Sequence, residues 1–300
     1  MVRVLLNFNC NLACSYCFAK HFWNRKDIFS LEDLKKLLGF IGPDEDLLLV
    51  GGEPTQHSQF LEILDLLKKA PNKVNIMSNG IFPSLYLDQI KKSTNLFMVN
   101  LNNPVTYTHE NWKTLESNLQ ALTDPDAAAL VQIGVNVYKE NQRFDYLIPF
   151  LKYYRIIKEL RVAVAYPMDL EKLKKLVLVL KNLVSLAVLH NFSVSFDCPI
   201  PACIFSEEEI EFFSKFSSNF RFGSCAGNFT VYPGLKAGHC FASFPDEYNL
   251  NDFKTLKHLR QYILNKEEKL IRQKNSFPEC KNCFFKREKV CQGGCLGDYF

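Results

Sequence analysis

The chain has 300 residues, 47% of them hydrophobic and 23% charged, with a formal net charge of +4. That balance suits one large globular domain, or a domain of about 200 residues with an appendage. It gives no reason to expect nucleic acid or a membrane surface as partner. The longest apolar runs, such as Leu47–Val50 and residues 176–180, fall far short of the roughly 20 residues that span a bilayer. The first residues lack the length and cleavage site of a signal peptide, so a cytoplasmic protein is expected.

In chain order the first two thirds alternate strand and helix patterns. Residues 2–9, "VRVLLNFN", read as a strand, and residues 30–40 as a helix with Ser30 as N-cap and Glu32 and Asp33 in its first turn. Strand patterns recur at 46–50, 73–78, 95–102, 130–138 and 160–167, with a further candidate at 192–197. Helix patterns separate them at 58–69, 82–92, 110–123, 144–154 and 170–190. Six such units predict an α/β fold, a mostly parallel sheet with helices outside it. The unusual polar residues follow the strands, where parallel folds place their chemistry: the first cysteines, Gly51–Thr55, Ser78 to Gly80, Asn100, Asn102 and Asn136. Beyond Cys198 helical pieces at 206–217 and 251–265 separate cysteine-rich loops. The expected division is a barrel over 1–197 and a smaller domain over 198–300.

Eleven cysteines are many for this length, and they cluster: Cys10, Cys14 and Cys17, then none until Cys198. In a reducing compartment this favours metal over disulfides, and an odd total leaves a disulfide framework one thiol short. Cys10, Cys14 and Cys17 have the spacing C-x3-C-x2-C, and thiolates suit zinc or iron–sulfur clusters. His21 is the one nearby candidate for a fourth ligand; otherwise the group leaves a position open to another molecule. Gly51-Gly52-Glu53-Pro54, taken alone, reads equally well as a tight turn between strand and helix.

Together these features resemble the radical S-adenosylmethionine (SAM) enzymes. The aromatic Tyr16 before the last cysteine, GGEP one strand later, Ser78-Asn79-Gly80, Asn100 and the segment 135–141 containing Asn136 match in order over residues 1 to about 197. The resemblance implies a partial (β/α)6 barrel. Cys10, Cys14 and Cys17 would hold a 4Fe–4S cluster whose open iron takes the amino and carboxylate groups of SAM. Tyr16, Gly51, Gly52, Glu53, Pro54, Ser78, Asn100 and Asn136 would line the SAM site, with Glu53 accepting from the SAM ammonium and the glycines allowing close approach to a ligand. The implied chemistry is one-electron cleavage of SAM to a 5′-deoxyadenosyl radical that takes a hydrogen from substrate.

A second set runs Cys280-x2-Cys283-x7-Cys291-x3-Cys295. Alone it also fits a zinc ribbon. Cys225 and Cys240 bracket a hairpin-like segment upstream. The two segments resemble the SPASM extension of radical SAM enzymes, which carries auxiliary 4Fe–4S clusters. Here the middle gap is seven residues rather than five, and a last cysteine is missing. Eight cysteines remain beyond the first three, enough for two clusters. The expected near cluster uses Cys225, Cys240, Cys295 and Cys203. The outer one uses Cys280, Cys283 and Cys291, with Cys198, Asp298 or substrate as fourth ligand. Cys198 and Cys203 read equally as buried small hydrophobes.

The resemblance implies hydrogen abstraction from a peptide or small protein, with crosslink or thioether formation, epimerisation or oxidation as outcome. It also implies an external one-electron donor of flavodoxin or ferredoxin type. Because the sequence starts at the first strand, leader recognition would need a separate protein. Phe241 stands after Cys240 where sulfatase-maturing relatives usually have Asp, which speaks against formylglycine formation. A dehydrogenase acting on a small molecule and a non-catalytic iron–sulfur electron carrier are the alternatives.

Overall fold

The computed structural model describes residues 1–22, 25–125, 130–166, 168–222, 229–239, 248–273 and 276–295. Ten strands form one sheet: β1 (Val2–Leu5), β2 (Leu47–Val50), β3 (Val74–Ser78), β4 (Leu96–Asn100), β5 (Leu130–Val137), β6 (Glu159–Val164), β7 (Ser193–Phe196), β8 (Thr230–Tyr232), β9 (Lys236–Gly238) and β10 (Tyr248–Asn249). The spatial order is β10-β9-β8-β1-β2-β3-β4-β5-β6-β7. Strands β1 to β7 are parallel to their neighbours. The helices between them are α1 (Leu31–Ile41), α2 (Phe60–Lys68), α3 (Leu87–Ser93), α4 (His109–Leu122), α5 (Ile148–Tyr153) and α6 (Leu170–Leu189), followed by α7 (Glu207–Phe216) and α8 (Leu256–Gln273).

The alternation of side chains along each strand decides what the sheet's two faces do. Val4, Leu49, Ile76, Val99, Ile133, Val162 and Val194 lie on the helix-covered face and are at most 1% exposed. Register puts Met77 opposite Met98, Asn100 opposite Gly134, Gly134 opposite Arg161 and Asn136 opposite Ala163 on the other, inner face. The inner face is therefore polar, while the strands still read as apolar runs.

Several elements differ from the sequence expectation. β1 stops at Leu5, because the chain leaves the ladder at Leu6–Asn7 to build the cysteine loop; Asn7 then bridges to Ile28. α3 and α5 begin later than expected, each preceded by a 3-10 turn, at Ser84–Tyr86 and Asp145–Leu147. α8 likewise lies at Leu256–Gln273 rather than 251–265. β8 does not belong to a separate sheet. It pairs in parallel with β1, Arg3 opposite Thr230, so one sheet runs past the expected boundary near Cys198. Among the described residues no helix is long and apolar enough to cross a membrane.

α8 returns to the start of β2. Arg260 donates from Nη1 and Nη2 to Glu45 at 2.5 and 2.7 Å, and the N-terminal ammonium donates to Glu45 Oε2 at 3.1 Å. A two-point guanidinium–carboxylate pair is the strong form of this contact. Arg260 holds the Glu45 carboxyl below its usual value. A depressed carboxyl stabilises the fold above its unfolded value and loses that contribution as pH falls through the folded value. Urea denaturation should therefore show Glu45→Gln less stable than wild type by about 1 kcal/mol or less at pH 7. The gap should close as pH falls below about 4.3.

Candidate active site

The cysteine loop follows β1 and rests on the loop after β2. Gly52 N donates to Asn7 O at 2.9 Å, Glu53 N to Asn9 O at 2.7 Å, and Asn7 Nδ2 returns to Glu53 O at 3.0 Å. A Cβ on Gly52 would lie 2.4 Å from Asn9 O and 2.6 Å from Phe8 O; one on Gly51 would lie 3.0 Å from Asn7 O. The two glycines are thus needed for the approach of one backbone to another. Pro54 opens a 3-10 turn and is buried.

The three thiols are half-buried. Cys10 Sγ accepts from Leu12 N at 3.4 Å and Asn79 Nδ2 at 3.9 Å, and Cys14 Sγ accepts from Asn102 Nδ2 at 3.8 Å. Cys17 N closes a turn onto Cys14 O at 3.2 Å. Burial pushes the Cys10 thiol up to about 11 and raises that of Cys14, so metal binding there must displace protons. Among the described residues no three His, Cys, Asp or Glu side chains converge to hold a single ion. Three soft thiols with amide N–H donors aimed at two of the sulfurs fit an iron–sulfur cluster, whose ligands sit on different irons.

Glu53 is 1% exposed. Its Oε1 accepts from Thr55 N at 3.1 Å, Thr55 Oγ1 at 2.8 Å and Ser78 Oγ at 2.9 Å, and its Oε2 from Asn79 N at 2.7 Å. Burial raises its carboxyl, against these four donors. Glu53 therefore ties the loop after β2 to the end of β3, and Ser78 is spent on Glu53 and on Gly80 N at 3.0 Å.

Tyr16 reaches inward from the loop. Its hydroxyl donates to Asn102 Oδ1 and accepts from Asn100 Nδ2 at 3.1 Å and Asn136 Nδ2 at 3.2 Å. Asn136 Nδ2 also donates to Asn100 Oδ1 at 2.6 Å. Burial pushes the Tyr16 hydroxyl well above its usual value, and its ring lies 4.7 Å from that of Tyr138. Tyr16, Asn100 and Asn136, separately expected at the site, are thus one network. Asn102 joins that network to Cys14, and Asn79 joins Cys10 to Asn11 Oδ1 at 2.7 Å. Sequence reasoning passed over the thiol contacts of Asn79 and Asn102; their places just after β3 and β4 were the available signal. His57, by contrast, bridges Phe29 O and Gln59 N, each at 3.1 Å, and is structural.

At the C-terminal end, Cys283 N donates to Cys280 O at 3.4 Å and Gly293 N to Cys291 Sγ at 3.3 Å. Gln292 N donates to Phe222 O at 3.1 Å, and the Phe222 ring lies 6.1 Å from Phe205, two residues after Cys203. Burial, then the neighbouring Cys291, Cys283 and Cys280, push the Cys203 thiol up to about 11. Cys198 shares a hydrogen bond with Cys295, which holds its thiol down. Cys203 is exposed in the 3-10 turn Ala202–Ile204, and Cys198 follows the end of β7. Cys225, Cys240, Phe241 and Asp298 lie outside the described residues.

Residues 4–123 match the model of the Radical SAM superfamily. A Methanocaldococcus jannaschii protein, named as a glycyl-radical enzyme activating enzyme, is 28% identical over 90 residues, 29% of this chain and 34% of that protein. The match thus spans about a third of the curated relative's length. Among solved structures, Streptococcus suis SuiB bound to S-adenosylmethionine superposes with a TM-score of 0.68 at 15% identity, covering 99% of this chain and 73% of that one. anSMEcpe with bound AdoMet and Kp18Cys peptide gives 0.67 at 18% identity, covering 99% and 90%. SuiB bound to the precursor peptide SuiA gives 0.64 at 15%, covering 99% and 72%. These likenesses establish the α/β barrel fold.

Gly52→Ala should force the cysteine loop away from the loop after β2. Anaerobic reconstitution should then return less iron than wild type, with a lowered melting temperature; an unchanged iron content would remove the packing role assigned to Gly52.

Proposed function

We propose that this chain is a radical SAM enzyme that cleaves SAM reductively and takes a hydrogen atom from a peptide or protein substrate. The observation that carries this reading is the three-thiol loop Cys10–Cys14–Cys17, with amide donors on Cys10 and Cys14 and a polar inner face of strands beside it. When bound, a three-cysteine 4Fe–4S cluster with SAM on its open iron supplies the electron and the hydrogen-abstracting power.

The chain's own residues bind, orient and exclude water. Asn79 and Asn102 donate to the sulfurs of Cys10 and Cys14, which moves the potential of a cluster held there. Asn100, Asn136 and the Tyr16 hydroxyl offer amide and hydroxyl groups suited to a nucleoside sugar. Tyr16, Tyr107 and Tyr138 wall the site against water, which a reactive radical requires. The peptide-bound structures of SuiB and anSMEcpe support a peptide substrate for this chain too. A separate electron donor and a leader-recognition protein complete the reading as partners.

Two auxiliary clusters are part of the proposal, in the tradition of the SPASM-type extension. Cys203, Cys280, Cys283 and Cys291 would hold the outer one; Cys198 and Cys295, with Cys225 and Cys240, the near one. Eleven cysteines then divide as three, four and four.

Cys14→Ala should abolish 5′-deoxyadenosine formation by the anaerobically reconstituted, dithionite-reduced protein; persistent cleavage would overturn the proposal. Wild type should carry about 12 irons per chain, three four-iron clusters. Cys203→Ala should lose roughly four of them while SAM cleavage continues. Loss of iron from the near cluster instead would restore the opposite grouping.

A further inference from the structure

The buried stripe of α4 is interrupted by one amide. Leu115, Asn118, Leu119 and Leu122 face inward together, and Asn118 is 2% exposed. A polar side chain in such a row is costly unless it is hydrogen-bonded. Asn118 Nδ2 donates to Gly80 O and to Phe82 O, each at 2.9 Å. Both carbonyls belong to the turn after β3, which Gly80 enters with a φ of 78°. The helix thus holds the carbonyls on either side of Ile81.

The backbone of Ile81 is engaged by the cysteine loop and by Asn79. Ile81 O accepts from Asn11 Nδ2 at 2.9 Å, and Ile81 N donates to Asn79 Oδ1 at 2.9 Å. Asn79 Nδ2 in turn donates to Asn11 Oδ1 at 2.7 Å. These three bonds close a ring, and the backbone fixes its sense. The Ile81 N–H must meet an oxygen, and the Ile81 carbonyl must meet an N–H. Each asparagine amide can therefore lie only one way round. That orientation turns Asn79 Nδ2, rather than its oxygen, toward Cys10 Sγ at 3.9 Å.

We propose that Asn118 is a positioning residue for the thiolate of Cys10. It fixes Gly80 and Phe82, so that Ile81 sets the Asn11–Asn79 ring and the ring presents an N–H to the sulfur. An N–H donor to a ligand sulfur stabilises the extra negative charge of a reduced cluster and so raises its potential. Asn118 thereby acts on the ease of reduction from the far side of the turn, through Ile81 and Asn79. This rests on the radical SAM reading for the cluster's task, and SAM binding tests that reading separately.

Asn118→Leu removes both donors at a similar side-chain size. Asn118→Ser, which leaves room for water at the two carbonyls, is the second variant in case the first does not fold. The full chain is reconstituted anaerobically, and the cluster on Cys10 is the one whose EPR signal Cys10→Ala removes. Both Asn118 variants should lower its midpoint potential by at least a threefold change in the one-electron equilibrium, about 28 mV. Asn79→Ala should lower it alike, and Asn118→Leu/Asn79→Ala no further, because the two residues act in series. Amide exchange of residues 79–82 should be at least tenfold faster in both Asn118 variants than in wild type. Faster exchange with an unchanged midpoint overturns the proposal, since Asn118 would then only brace the turn. Additive shifts in the double variant overturn it as well, because Asn118 would act by another route. Exchange at the wild-type rate does the same. If SAM leaves the wild-type EPR spectrum unchanged, the radical SAM reading fails, while the midpoints still decide the role of Asn118. A wild type with no cluster on Cys10 overturns both.

Discussion

The close passage of one loop over another is the constraint on which the site depends. The backbone of Gly51 and Gly52 runs against Asn7, Phe8 and Asn9, so near that a single methyl group on Gly52 would overlap two carbonyl oxygens. Two backbone hydrogen bonds and the Asn7 side chain then lock the loops together. Asn11 and Tyr16 add side-chain hydrogen bonds from the cysteine loop, to Ile81 O and to Asn100, Asn102 and Asn136. Fixing it to β2 sets where the thiols stand relative to the strand ends that carry Asn79, Asn100, Asn102 and Asn136. Glu53 extends the same tie to β3 through a carboxylate that is fully enclosed by donors.

The sheet's division of labour follows from parallel strands covered on one side by helices. One row of aliphatic side chains packs outward in each strand, and the alternate row is free to be polar. The inner row rises from methionines, through Gly134 and Arg161, to the asparagines joined by Tyr16. Arg161 on the same face pairs with Asp197, next to Cys198.

The pairing of β8 with β1 closes the open side of this arrangement. It brings the C-terminal cysteine segment to the barrel through the sheet itself rather than through a linker. Phe205, Phe220 and Phe222 pack between α7 and that segment, and Gln292 hydrogen-bonds to the Phe222 carbonyl.

Much of this protein is legible in its sequence. The alternation of aliphatic runs and helical faces is a local property, and so it located the strands and helices to within a few residues, less well where 3-10 turns precede α3 and α5. The spacing of Cys10, Cys14 and Cys17, with GGEP one strand later, marked the site for the same reason: the residues lie close along the chain. What tertiary structure alone decided concerns partners far apart in sequence. Gly52 lies against the backbone of Phe8 and Asn9. Glu53 is a tie between strands. Tyr16 meets Asn136 across 120 positions. Arg161 pairs with Asp197, 36 positions along the chain. Each depends on strand register and loop packing, and a shift of one residue in register would turn the polar row outward and the aliphatic row inward.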